Sequence, residues 1–419
     1  NPETFTISRE DYHDRLQGFW LGQSIANWTG LVTEMDRIGG EGPHGVFYTR
    51  DDWGQPDQPS IWSSEPSPLS ATIDWVFAGP DETWGADDDT DIEYMYQHLL
   101  LENETSRLTG EQIRDGWLKH IWTDADTPFT NAEGEPENYL WVSNQRAYDL
   151  MREGVIPPRT GDPALNPEFE MIDAQLSTEI FGLFAPGRPD VALELAYLPI
   201  CTTARGEAAL AAEFYVVMHA LAAVADPSKP RREEVFRLAD SAREHLPDGS
   251  TAAAMYDFVK GRHDAGDTWE VARDAVYQRY QVEQADGYDM SSRGLYCNGC
   301  FASGINFAAS LVSLFWGAGD FGETVRIAVL AGWDADNPAA TWGGLLGFMY
   351  GRTGIENTFE RTFSERFDIH RTRRNFPDGG VDTFPVMADK GLRVIDRVVR
   401  DEMNGTFDPV AGQWLIPEN

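Results

Sequence analysis

Asp14 to Glu34 reads DRLQGFWLGQSIANWTGLVTE, and this stretch decides the fold. Apolar and small residues recur at three- and four-residue spacing across 11–26, which predicts a helix with a buried face. Gly18, Gly22, Ala26 and Gly30 fall on every fourth position, so they share one stripe of that helix and its exit. A glycine in a helix costs roughly 1 kcal/mol against alanine, so three on one stripe need a compensating gain. Close backbone approach by a second helix is one. Delivery of Asn27 and Glu34 from the helix end into a cleft is another, and the two are compatible.

The same spacing returns at 91–102, 110–122, 206–224, 304–319, 322–332 and 341–352. No comparable set of alternating β-runs accompanies it, so the expected fold is all-α, with several helices buried on most sides. Loops rich in Pro and Gly fall at 38–70, 123–140, 155–170 and 226–232. No repeat period or charge-rich linker divides the chain. The expectation is one compact multi-helix domain over 1–419, with its motifs inside 14–350 and 351–419 as a packed C-terminal extension.

Charge narrows the partners. The 419 residues carry 69 Asp and Glu against 33 Lys and Arg, a net charge of −36. Only Lys119, Lys229, Lys260 and Lys390 are lysines; so many carboxylates with so little lysine suits a saline medium, where salt screens self-repulsion, or equally an acidic cytosolic protein. Such a field repels nucleic acid and anionic membrane, and no run of 18 apolar residues is present to span a bilayer. A small-molecule or glycoside substrate is the partner expected; the oligomeric state is open. The N-terminal residues have neither a basic nor an apolar signal region. Cytoplasm is the first expectation, with export after removal of a leader as the other. Cys297 and Cys300 form one CNGC, read first as small buried residues near a helix start, with a small disulfide or redox use as alternatives. No second CxxC and no HExxH supplies a zinc site.

Two acidic segments carry the chemistry. ADDDTDIEY, residues 86–94, holds Asp87, Asp88, Asp89, Asp91 and Glu93 just ahead of a predicted helix. One acid can cap the helix and a second can meet its dipole; three in a row repel one another unless a cation sits among them. Thr90 and Asp91 are expected to begin the helix, with Glu93 solvated or structural. AGWDADNPAATWGGLLG, residues 331–347, sets Asp334 and Asp336 in alternation, then Asn337, with Pro338 suited to the first turn of a helix. Apolar sequence frames these acids, and no Arg or Lys lies between Arg326 and Arg352. Oxygen-only ligands favour hard cations, Mg²⁺ first and Mn²⁺ or Ca²⁺ after it. Five carboxylates and an amide suffice for two such ions about 4 Å apart.

In order and spacing these segments resemble the ADP-ribosylglycohydrolases over about four-fifths of the chain, from near residue 14 to near 350. The family's first motif, R-x-x-G-x-x-x-G-x-x-x-G-D-x-x-G-x-x-x-E, is matched by Arg15, Gly18, Gly22, Ala26, Asn27, Gly30 and Glu34. Its T-D-D-T falls on Asp87, Asp88, Asp89 and Thr90, and its G-G-D-x-D-T on Gly332, Trp333, Asp334, Asp336 and Asn337. The resemblance implies an all-α fold around a central cleft, two Mg²⁺ or Mn²⁺ ions, and hydrolysis at the anomeric carbon of a ribosyl group. It makes Asp88, Asp89, Asp334 and Asp336 metal ligands, with Asp87 and Asn337 where the family has ligand threonines. Glu34 becomes the acid near the scissile bond, positioning a water or gating the site, and with Asp89 and Asp336 forms the expected catalytic set. Asn27 stands where the family has an acid. Asn27, Trp28 and Trp333 are the expected substrate contacts; Trp84 also flanks a motif.

One departure bears on the substrate. The family's G-N-G-x-M-R segment, beside the ADP moiety, has no counterpart; Pro157 to Gly161 and FEMIDAQLSTEIFGLFAPG, residues 169–187, stand in mid-chain instead. Three readings follow: cleavage of an ADP-ribosyl or related furanosyl bond, cleavage of a non-nucleotide furanoside or oligosaccharide end, and a non-enzymatic, crystallin-like or ligand-binding protein on the same fold.

Overall fold

A computed structural model describes residues 3–418, and the described residues are 56% helical, with 15 α-helices and only small sheets. Most of the 14–34 stretch lies in one helix, Arg9–Leu31. Predicted helices at 110–122, 206–224, 304–319 and 322–332 are found as Gly110–His120, Glu207–Ala222, Ser303–Gly317 and Phe321–Ala331. None of the described helices is long and apolar enough to cross a membrane.

The chain forms two compact units. The first runs to Trp20, then takes in Ala78–Val224 and everything from Phe348 on. Its helix Asp88–Glu102 packs against the helices Gly110–His120, Asp173–Ser177 and Phe384–Met403. The strand Thr4–Ser8 pairs antiparallel with Gln413–Pro417, in register Thr4 to Pro417, and that strand pairs with Thr406–Asp408. Beside this sheet Arg9 grips Asp396 through two nitrogens, at 3.0 and 2.8 Å, and fully buried Trp414 donates to the same carboxylate at 2.9 Å.

The second unit is Leu21–Phe77 with Ala225–Gly347. Helix Ser303–Gly317 lies against Phe321–Ala331 and Thr251–Asp264, and Phe307, Leu311, Phe315, Val325 and Ile327 of these helices are all buried. Side-chain caps set the starts of the last two helices: Asp320 accepts from the Glu323 amide at 2.8 Å and Ser250 from Ala253 at 3.1 Å.

The small-residue stripe has its explanation here. A Cβ on Gly22 would strike the Gly343 carbonyl, and one on Gly343 would strike Ala26 Cβ. A Cβ on Gly30 would lie 2.5 Å from Asp336 Cα. The end of the first helix and the start of Asp336–Phe359 thus touch backbone to backbone. That contact is the gain that offsets the glycines.

Asp336–Phe359 starts five residues ahead of the apolar run at 341, with Pro338 in its first turn as expected. One expectation is corrected. Cys297 and Cys300 are joined in a disulfide, not left as separate small thiols.

Candidate metal centre

The helix Asp88–Glu102 begins one turn earlier than the spacing of its apolar residues suggested, because Asp87 is its N-cap. Asp87 accepts from the Asp89 amide at 3.0 Å, while Thr90 Oγ1 accepts from the Asp87 amide at 3.2 Å. This reciprocal box leaves Asp88 and Asp89 in the first turn, both buried, at the positive end of the helix dipole. The other two acids have structural partners. Asp91 is fully buried and paired with Arg373 Nε at 2.9 Å; burial still pushes its carboxyl up to about 6, against the pull of Arg373. Glu93 is not solvated: it is fully buried and accepts from the Ile180 amide at 3.2 Å.

In the second unit the chain gathers the other acids. Past Leu31 the backbone leaves the helix, and residues 33–37 are sewn to the 329–334 turn. Thr33 Oγ1 donates to the Val329 carbonyl at 2.5 Å, the Met35 amide to Trp333 O at 2.9 Å, and the Trp333 amide to Arg37 O at 2.7 Å. Gly332 takes φ +106°, and a Cβ there would hit Phe47. Asn306 Oδ1 accepts from the Asp334 amide at 3.1 Å, tying the turn to helix Ser303–Gly317. These contacts bring Glu34, Asp334 and Asp336 together, with a ligand oxygen from each within 4.8 Å of the others. Glu34 is half-buried, and the two aspartates are buried.

Burial drives the Asp334 carboxyl above its usual range, opposed by hydrogen bonds with Asp336 and Glu34. Three carboxyls meeting out of water must share protons or a cation. An all-oxygen donor set of this kind fits a hard divalent ion. These acidic groups could hold metal.

The remaining site residues fall as follows. Asn27 and Asn337 are fully buried, and Trp28 is half-buried. Trp333 is fully buried, tilted against Phe47 at 4.8 Å, and donates from Nε1 to Gln281 at 2.7 Å. Trp84 is also fully buried, its Nε1 bonded to Ser364 O at 2.9 Å.

Two residues past Glu34, Asp36 belongs to a pair that the sequence did not announce. Asp36 is buried, and burial followed by its hydrogen bond with Asp57 pushes its carboxyl up to about 9. Tyr48 donates toward both acids. Asp36 and Asp57 sit 21 residues apart, with no motif or period to link them; only the fold of the long loop joins them.

A family model described as ADP-ribosylglycohydrolase matches residues 8–380. A solved structure, an ADP-ribosylglycohydrolase-related protein complex, is similar at 18% identity with a TM-score of 0.50, over 93% of this chain and 99% of that one. At that identity the likeness is one of fold. No curated protein matched.

Proposed function

The chain belongs to the ADP-ribosylglycohydrolase family, and from that premise we propose that it hydrolyses a ribosyl-type glycosidic bond, ADP-ribosyl or a related furanosyl, with two divalent cations. The family supports glycoside hydrolysis in general. The convergence of Glu34, Asp334 and Asp336 carries the finer reading. Asp334, Asp336 and Asn337, together with Asp87, Asp88 and Asp89, are the proposed ligands; the matched motifs are what join the two sets. Mg²⁺ is the first ion, ahead of Mn²⁺ and Ca²⁺. Divalent ions held there would lower the pKa of bound water and steady developing negative charge.

Glu34 has the exposure its task needs. Half-buried, it can reach a water at the sugar and accept its proton, while buried Asp89 and Asp336 stay fixed by their helix starts. Asn27 and Trp28, on the last turns of the first helix, and Trp333, in the ligand turn, are the proposed substrate contacts.

The test is hydrolysis of an ADP-ribosyl substrate and of aryl ribofuranosides and arabinofuranosides, in Mg²⁺ and in EDTA. EDTA should abolish activity, and Glu34→Gln should lower kcat by about 10²–10⁴-fold. Full activity in EDTA would sink the metal mechanism. Preference for the aryl furanoside would select the second reading, a non-nucleotide substrate. One observation favours that reading: residues 173–184, in mid-chain where the ADP-side segment is missing, form two short helices, Asp173–Ser177 and Ile180–Phe184, buried throughout. Absence of saturable Mg²⁺, Mn²⁺ or Ca²⁺ binding in calorimetry would favour the non-enzymatic reading instead.

A further inference from the structure

A second cluster, wholly within the first unit, has different chemistry. His98 and Glu102 lie one helical turn apart on Asp88–Glu102, and His120 ends the helix Gly110–His120. Glu102 Oε2 is 3.3 Å from His98 Nε2 and 3.7 Å from His120 Nε2, and one ligand atom from each residue lies within 4.8 Å of the others. Four ligands around zinc at about 2.0–2.1 Å sit roughly 3.3–3.4 Å from one another. The Glu102–His98 separation falls on that edge, and the Glu102–His120 separation is somewhat longer.

The His120 tautomer is fixed by its surroundings. Its Nδ1 is 2.9 Å from the Arg374 carbonyl, which can only accept, so Nδ1 carries the proton. The lone pair is left on Nε2, which is fully buried, without a hydrogen-bond partner, and nearest to Glu102. This is the outer-sphere arrangement that orients a ligating imidazole. Lys119 Nζ takes the other Glu102 oxygen, Oε1, at 2.5 Å, and so holds the carboxylate with Oε2 toward the histidines. Phe376 stacks on His120 at 4.2 Å and meets His98 edge-on at 5.1 Å, forming an apolar wall. Partial exposure of His98 and Glu102 leaves a path for an ion and a water.

We propose that His98 Nε2, Glu102 Oε2 and His120 Nε2 form a Zn²⁺ site, with water as the fourth ligand. Two imidazoles select zinc over Mg²⁺ or Ca²⁺, whereas the all-oxygen cluster of Glu34, Asp334 and Asp336 has the opposite preference. The proposal stands independently of glycoside hydrolysis. It gives the protein two metal demands sorted by ligand chemistry.

The experiment uses the full chain, stripped with chelator and then saturated with Mg²⁺ to occupy oxygen-only sites. Zn²⁺ is titrated calorimetrically, and Co²⁺ is followed by its visible bands. The wild type should take up one Zn²⁺ and give tetrahedral Co²⁺ bands that one equivalent of Zn²⁺ abolishes. His98→Gln, at a partly exposed position, should keep the helical circular dichroism and lose Zn²⁺ affinity by more than about 100-fold. Lys229→Met, on an exposed loop away from the cluster and its supports, should keep the site. Equal Zn²⁺ affinity in wild type and His98→Gln overturns the proposal, as does a wild type that binds no Zn²⁺ or gives only octahedral Co²⁺ bands. Should His98→Gln misfold, the wild-type Co²⁺ spectrum decides alone.

Discussion

His219 shows how a single buried group couples the fold to pH. It is fully buried, with Nδ1 2.6 Å from the Tyr215 carbonyl, and burial lowers its pKa from 6.5 to about 4. The unfolded chain therefore takes up this proton first as pH falls. The stability it contributes is present above about 6.5 and lost as pH drops toward about 4, by up to about 3 kcal/mol. Urea unfolding at several pH values should show His219→Gln with a shallower slope across that window than the wild type. An unchanged slope would place the acid sensitivity in other groups. At this scale the sequence is least explicit. Asp91 and Glu93 look like Asp88 and Asp89 on paper, yet their partners, Arg373 and Ile180, lie 282 and 87 residues away.

Elements were more legible, because periodicity is local. Apolar spacing located seven helices, and the motif glycines marked a close contact that sets the Asp336 helix against the first. Helix starts were misplaced where a cap ruled: Asp87 caps, so the helix begins at Asp88 and not at Thr90. The strands, from two to five residues long, are too short for alternation to register. Gly30→Ala tests the backbone contact directly. Its Cβ would come within 2.5 Å of Asp336 Cα, so the helix start must shift. Overpacking of this kind costs about 1–3 kcal/mol, measured by denaturation, and Mg²⁺ affinity should fall with it. Retention of wild-type Mg²⁺ affinity in Gly30→Ala would show that the acids do not depend on this packing.

For the whole molecule, a net charge of −36 opposes compaction. Ions should relieve this repulsion over roughly a Debye length, about 8 Å at physiological salt and 3 Å at 1 M. The thermal midpoint should rise steadily as NaCl is raised from low to molar concentration, with Mg²⁺ held constant. A flat or falling midpoint in scanning calorimetry would mean that ion pairs such as Arg9–Asp396 outweigh the net repulsion. This property is legible in the composition alone, because net charge does not depend on how the chain folds.

The pairing of Thr4 with Pro417 has a topological corollary. Cross-strand partners in such a sheet sit about 4.5–5.5 Å apart, so a few added residues could join the two strand ends covalently. The chain could then be reopened in the exposed Glu133–Gly134 turn, between Thr130 and Pro136, where the ladder is a single bridge. The order in which the segments are synthesised is thus separable from the structure they form. A permuted gene would translate the 86–94 and 331–347 acids in reverse order, with every contact of the first unit's terminal sheet retained.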